Sequence, residues 1–208
     1  MKKLFVFLAS LVLLISVSSC SSCTNQAKNF ETETTEQVVE HMIALDREAM
    51  FMNYADDYRW FETCVQLNDW LDEECDGSFN LVTNVFQTVV ARDAGSYDTR
   101  VIKYQHINGE TREDTIDGFW IEDLPLEEET IKVTFAEAFE KVMETNLPKP
   151  HTHQVVLRKE VGPNPCNPQW IFGNLRSQIY VDAVTGEVSN VSPAFNGLNI
   201  GTPLGEWP

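Results

Sequence analysis

Residues 99–117 read Thr-Arg-Val-Ile-Lys-Tyr-Gln-His-Ile-Asn-Gly-Glu-Thr-Arg-Glu-Asp-Thr-Ile-Asp. Two β-rich runs, 99 to 107 and 110 to 122, flank Asn108-Gly109, and Asn-Gly is a strong short hairpin signal because both positions tolerate positive φ. An antiparallel hairpin is therefore expected here. A further run at 85 to 91, Val-Phe-Gln-Thr-Val-Val-Ala, adds a strand before it. After Phe119-Trp120-Ile121, residues 122 to 129 gather acids around Leu124-Pro125-Leu126 and read as a linker or solvated loop.

On the C-terminal side, Thr134 and Glu137 stand at capping-box spacing, and Phe135, Ala138, Phe139, Val142 and Met143 share one face of the helix they open. Leu147-Pro148-Lys149-Pro150 ends it. Strands are expected at 154 to 161, 169 to 173 and 177 to 184, with a last extended piece at 187 to 191 beyond the Thr185-Gly186 turn. On the N-terminal side, Thr34 and Gln37 have capping-box spacing and Val38, Met42, Leu45, Ala49 and Met52 form a helical stripe. Trp60, Cys64, Leu67 and Leu71 form another, which predicts a second helix from about Asp56 to Glu74, stopped by Asp76-Gly77. The class is α+β, with helices packed on one face of an antiparallel sheet. A helix followed by three or four strands occurs twice, at 56 to 122 and 134 to 191. Residues 34–130 and 131–208 accordingly read either as two tandem α-β-β-β modules or as one globular domain.

Three stretches of the second half resemble the PepSY family of envelope domains. They are Val133-Thr134-Phe135-Ala136-Glu137-Ala138, the strand with Gln169-Trp170-Ile171-Phe172, and Ile179-Tyr180-Val181-Asp182-Ala183-Val184-Thr185-Gly186-Glu187-Val188. In the last, Ile179, Val181 and Ala183 alternate toward one face, Asp182 and Thr185 can bond turn backbone, and Gly186 supplies positive φ. The resemblance covers residues 133 to 191 only, and the Gly162–Pro168 loop is longer and richer in proline than the family pattern. It implies a small secreted or membrane-attached module that inhibits or chaperones peptidases or binds ligands. It brings no catalytic residues.

The chain opens with Lys2 and Lys3, an apolar run from Leu4 to Ile15, then Ser16-Val17-Ser18-Ser19-Cys20. The run is shorter than the ~20 residues of a spanning helix and reads as a secretory signal over residues 1–19. Val17-Ser18-Ser19-Cys20 resembles the bacterial lipoprotein processing box, which makes Cys20 the lipid attachment site, residues 20–33 a polar tether and the cell envelope the expected location. The 208-residue chain has 32 acids against 15 bases, a formal charge of −17, and loss of the signal removes two lysines and no acid. Such a polyanion is repelled by phosphate backbones, so nucleic acid is not an expected partner. Its membrane contact would come from the lipid anchor.

With Cys20 acylated, Cys23, Cys64, Cys75 and Cys166 remain, either as disulfides or as free buried thiols. On one continuous helix, Cys64 and Cys75 would lie ~16 Å apart, beyond the ~7 Å reach of a bridge. His151-Thr152-His153 could offer two imidazoles to a metal, but no third ligand is identifiable. Asp72, Glu74, Asp76 and Gly77 follow the start of a calcium loop, yet its twelfth position is Thr83, not glutamate. No nucleophile elbow or phosphate-binding glycine loop occurs. The expectation is a non-enzymatic binding module without cofactor or metal, with a protein or peptide partner, and peptidase modulation is one form of it. The alternative is a surface glycan-binding accessory, motivated by five tryptophans, of which Trp60, Trp120 and Trp170 read as core and Trp207 as available. Mass spectrometry of membrane-extracted protein should show a mature N-terminus at an acylated Cys20; an unmodified Cys20 contradicts the lipoprotein reading.

Overall fold

The computed structural model describes residues 37–91, 96–174 and 177–196. The signal, Cys20, Cys23, the tether, Thr34 and Trp207 lie outside these. Among the described residues two α-helices, α1 (Val38–Tyr54) and α2 (Phe135–Glu144), accompany nine strands. The strands are β1 (Tyr58–Leu67), β2 (Phe79–Ala91), β3 (Tyr97–Ile107), β4 (Glu110–Asp117), β5 (Asp123–Leu124), β6 (Gln154–Glu160), β7 (Gln169–Asn174), β8 (Ser177–Asp182) and β9 (Val188–Ser189). The sheet is antiparallel and runs β4-β3-β2-β1-β6-β7-β8-β9, with β5 pairing β6 off this path. Each half meanders outward from the central β1–β6 pair, and the sheet crosses the expected boundary near residue 130 through that pair.

Alternation decides which residues face the helices. Val65, Val82, Phe86, Ile102, Val155, Leu157, Trp170, Phe172, Ile179 and Val181 join one core with Val39, Ile43 and Met50 of α1 and Phe135, Ala138 and Val142 of α2. Both helices therefore cover the same sheet face. The Asn-Gly hairpin forms as expected: Asn108 and Gly109 both have positive φ (52° and 77°), and β3 pairs β4 from Arg100↔Asp117 to Ile107↔Glu110. The capping box at Thr134 and Glu137 is present in both directions. In the last turn Asp182 Oδ1 accepts from the Val184 and Thr185 amides (2.8 and 2.9 Å), and Gly186 has φ +75°.

The helix expected over 56 to 74 is instead strand β1 followed by a loop. The stripe Trp60, Cys64, Leu67, Leu71 coincided with helical spacing, but Tyr, Trp, Phe, Thr and Val dominate residues 58–65, and such residues favour a pleated, half-buried surface. Thr63, Val65 and Leu67 are buried while Gln66 is exposed and Glu62 and Cys64 are half-buried. The preceding helix also buries a different face. Val39, Ile43, Asp46 and Met50 point inward, whereas Leu45 and Met52 of the expected stripe are exposed. An acid lies in the buried seam, so an apolar count selects the wrong stripe. Trp120 is half-buried, on the face away from the helices, not in the main core.

Asp46 is what α1 hands to the sheet. Its Oδ2 accepts from Asn84 Nδ2 (2.7 Å) and pairs with His106 Nε2 (2.8 Å). Thr63 Oγ1 donates to Asn84 Oδ1 (2.5 Å), and Thr111 Oγ1 meets His106 Nδ1 (3.0 Å). One network, buried at Asp46, Thr63, Asn84 and His106, thus joins α1 to β1, β2 and β3 and reaches exposed Thr111 of β4, and removal of its hub leaves buried polar groups without partners. Asp46→Ala is expected to lower unfolding free energy by about 2–4 kcal/mol in urea titrations; a loss under about 0.5 kcal/mol, the size of a neutral surface change, contradicts this role.

Candidate functional site

The sheet splits at its centre. A bulge shifts the β1–β2 register between Trp60 and Glu62, and β1 pairs β6 only from Gln66↔Gln154 to Glu62↔Arg158. Past that point β6 turns to a new neighbour, with Lys159↔Leu124 and Glu160↔Asp123, while the Leu126 amide donates to the Trp60 carbonyl (2.7 Å). The segment expected as a solvated linker is thus a wedge in the fork between the two central strands. Pro125, which cannot donate to a ladder, falls between its two attachments and confines the strand to two residues.

Strand pairing brings Glu62, Asp123, Arg158 and Glu160 together on the face away from the helices. Asp123 is 4% exposed. Trp120 Nε1 donates to its Oδ2 (3.2 Å), and Arg158 Nε lies 3.7 Å from its Oδ1. Arg158 Nη2 pairs with Glu160 Oε1 (3.1 Å), and Ser192 Oγ donates to Glu160 Oε2 (2.5 Å). One guanidinium therefore serves three carboxyl groups. Burial first, then the Asp123 charge, pushes the Glu62 carboxyl up to about 7, with Arg158 opposing. Burial raises Asp123 as well, against the pull of Arg158, Trp120 and Glu62. Two adjoining carboxyls of which one is enclosed cannot both ionise cheaply, so the arrangement favours one proton between Glu62 and Asp123.

The same segment carries an apolar ridge. The Trp120 amide donates to Gln87 Oε1 (2.7 Å), and its ring lies beneath Lys103 Nζ, 5.1 Å from the centroid. With Trp120 turned onto the sheet, Phe119 and Ile121 are 72% and 81% exposed, and Leu124 is 42% exposed. Adjacent exposed apolar residues of this size mark interaction surfaces more often than scattered single ones do.

Elsewhere the sequence candidates are spread apart. His151 stacks on Trp70 (3.7 Å, 11°), and His153 lies against the same indole (3.7 Å, 42°). The imidazoles therefore serve an aromatic stack beside Cys64, Gln66, Gln154 and Asn174. The Asp72 and Asp76 carboxylates accept from the Glu74 and Ser78 amides of their own loop (3.0 and 2.8 Å). Among the described residues no group of three or more His, Cys, Asp or Glu could hold a metal. Cys64, Cys75 and Cys166 are free thiols, and burial raises all three, Cys64 to about 11. A cleft of about 170 Å³ between α1 and residues 128–134 has Trp60, Leu157 and Trp170 among its walls, small beside the ~300–1,000 Å³ of drug-sized sites. No helix among the described residues is long and apolar enough to cross a membrane. No family model, curated protein or solved structure matches the chain.

The fork was beyond sequence reasoning because its four charged groups are spread over residues 62 to 160 and meet only through strand register. Trp120 reads as core, so the segment around Asp123 carries no signal of the cluster. A carboxyl raised in the fold contributes stability that is full below the unfolded value of 4.5 and is lost as pH rises through about 7. Glu62→Gln should therefore match the wild type in thermal melts at pH 4 and exceed it by about 3 °C or more at pH 8; equal melting points at both pH values contradict the shared proton.

Proposed function

We propose that this chain is an envelope-anchored lipoprotein whose non-enzymatic module binds a protein or peptide through the ridge at Phe119, Ile121 and Leu124. The observation that carries the reading is that ridge, held over the sheet face the helices leave uncovered. Glu122, Asp123, Glu127, Glu128 and Glu129 belong to the same stretch, so a partner pairing apolar side chains with Lys or Arg suits it best. Peptidase modulation fits this mode, since an inhibitor needs a rigid presented surface and no chemistry of its own. The PepSY resemblance supports the same reading. Both halves run helix then four principal strands, and their strands mirror one another about β1 and β6, which supports two tandem PepSY-like modules sharing one sheet.

Glycan binding has one observation in its favour, the shelf where Trp70 stands 43% exposed among amide side chains. Two imidazoles already lie against that indole, leaving less of its faces for a sugar ring, so the peptide reading is preferred. A library of peptides alternating Lys with Leu or Phe separates the two. Binding by the wild type and at least about ten-fold weaker binding by Phe119→Ser/Ile121→Ser, with unchanged melting, is expected. Unchanged affinity in that variant, or glycan-array binding lost in Trp70→Ala, overturns the ridge assignment.

A further inference from the structure

The ridge hangs on few bonds. Beyond the two β5–β6 pairs, residues 118–126 are held by the Gly118 amide to the Thr99 carbonyl (2.9 Å), Leu126 to Trp60 (2.7 Å) and Trp120 to Gln87 (2.7 Å). At its root is Asp123, whose side chain is fully enclosed. Its Oδ1 and the facing Arg158 Nε have no hydrogen-bond partner among the described residues. The enclosed carboxylate is thus incompletely neutralised by its guanidinium. Strand register sets Glu62 beside it, since Glu62 lies opposite Arg158 and Asp123 opposite Glu160 on the same edge of β6.

We propose that Glu62 and Asp123 form a proton-operated latch that fixes residues 118–126, so that the binding ridge is presented while the proton is held and released when it is lost. This rests on the ridge reading above and assigns its regulation. The groups facing Glu62 are Asp123 and Glu122 from the wedge, Arg158 and Glu160 from β6, and Cys64 from its own strand. Lys103 of β3 reaches the cluster only over Trp120. Loss of the proton leaves two negative charges, one on half-buried Glu62 and one on enclosed Asp123, beside Glu160 and Glu122, with Arg158 alone against them. Separation relieves that repulsion, and the wedge is the part that can separate, since β1 is fixed on its other side by the ladder with β2 from Tyr58 to Leu67 and β6 by its four pairs with β7 from Val155 to Arg158, whereas the wedge has two pairs with β6.

The sign follows from linkage. The latched form holds a proton up to about pH 7, and a released Glu62 returns to 4.5. Opening therefore expels one proton, and its equilibrium constant rises about ten-fold per pH unit between those values and levels off above them.

Hydrogen exchange of the full chain in detergent, followed at the Trp120 and Leu126 amides and divided by the intrinsic rate at each pH, tests this. The wild type should lose protection about ten-fold per unit from pH 5 to 7 and no further by pH 8. Glu62→Gln should stay protected throughout, and Glu160→Gln, whose partners are Arg158 and Ser192, should keep the wild-type transition. Wild-type protection equal at pH 5 and 8, or a Glu62→Gln curve that follows the wild type, overturns the latch. Affinity for the Lys/Leu peptides on the same samples separates the two readings. A failed latch gives pH-independent exchange while Phe119→Ser/Ile121→Ser still loses binding. A failed ridge gives the exchange transition with no effect of that variant on binding.

Discussion

The divergence of β1 from β6 beyond Glu62 and Arg158 is the constraint on which the rest of the uncovered face depends. An antiparallel ladder that parts leaves two rows of backbone donors and acceptors unpaired in the middle of a sheet, and burial of such groups without partners is costly. The wedge at residues 123–126 supplies the missing pairs on both sides. It also drags a carboxylate into a place where another carboxyl already stands. Backbone satisfaction and electrostatic frustration are two consequences of one register shift at the Phe61 bulge.

The two faces solve the problem of buried charge differently. Under α1, Asp46 Oδ2 meets both Asn84 and His106, which pass the bonding on to Thr63 and Thr111. In the fork, one arginine stands among three carboxyls and the balance is made with a proton. A satisfied network rigidifies, whereas a network completed by a proton responds to the medium. Structure is thereby anchored on the helix side, and adjustability is concentrated on the side where the ridge is displayed.

Much of the sheet was legible because its signals are local. Asn108-Gly109, the Thr134 capping box and the Asp182–Gly186 turn each act over a few residues, and all three are formed. The reading failed where tertiary context overrides periodicity. Residues 58–67 carry a helical stripe by coincidence and a strand's composition by necessity, and α1 hides an acid in its buried seam. The candidate site was illegible for a related reason. Glu62, Asp123, Arg158 and Glu160 have no spacing in common, and only the order β1-β6 with β5 between them makes neighbours of them. Looking for acids in strand-forming context, such as Glu62 between Phe61 and Thr63, is the sequence signal that comes nearest.

The central claim is that one proton is held at the fork up to about pH 7. The most direct measurement is a carbon-13 NMR titration of the Glu62 side-chain carboxyl in the intact chain. A midpoint at about 7 is the result this account requires; a midpoint at the ordinary 4.5 would mean that Glu62 and Asp123 ionise independently and that the fork holds no shared proton.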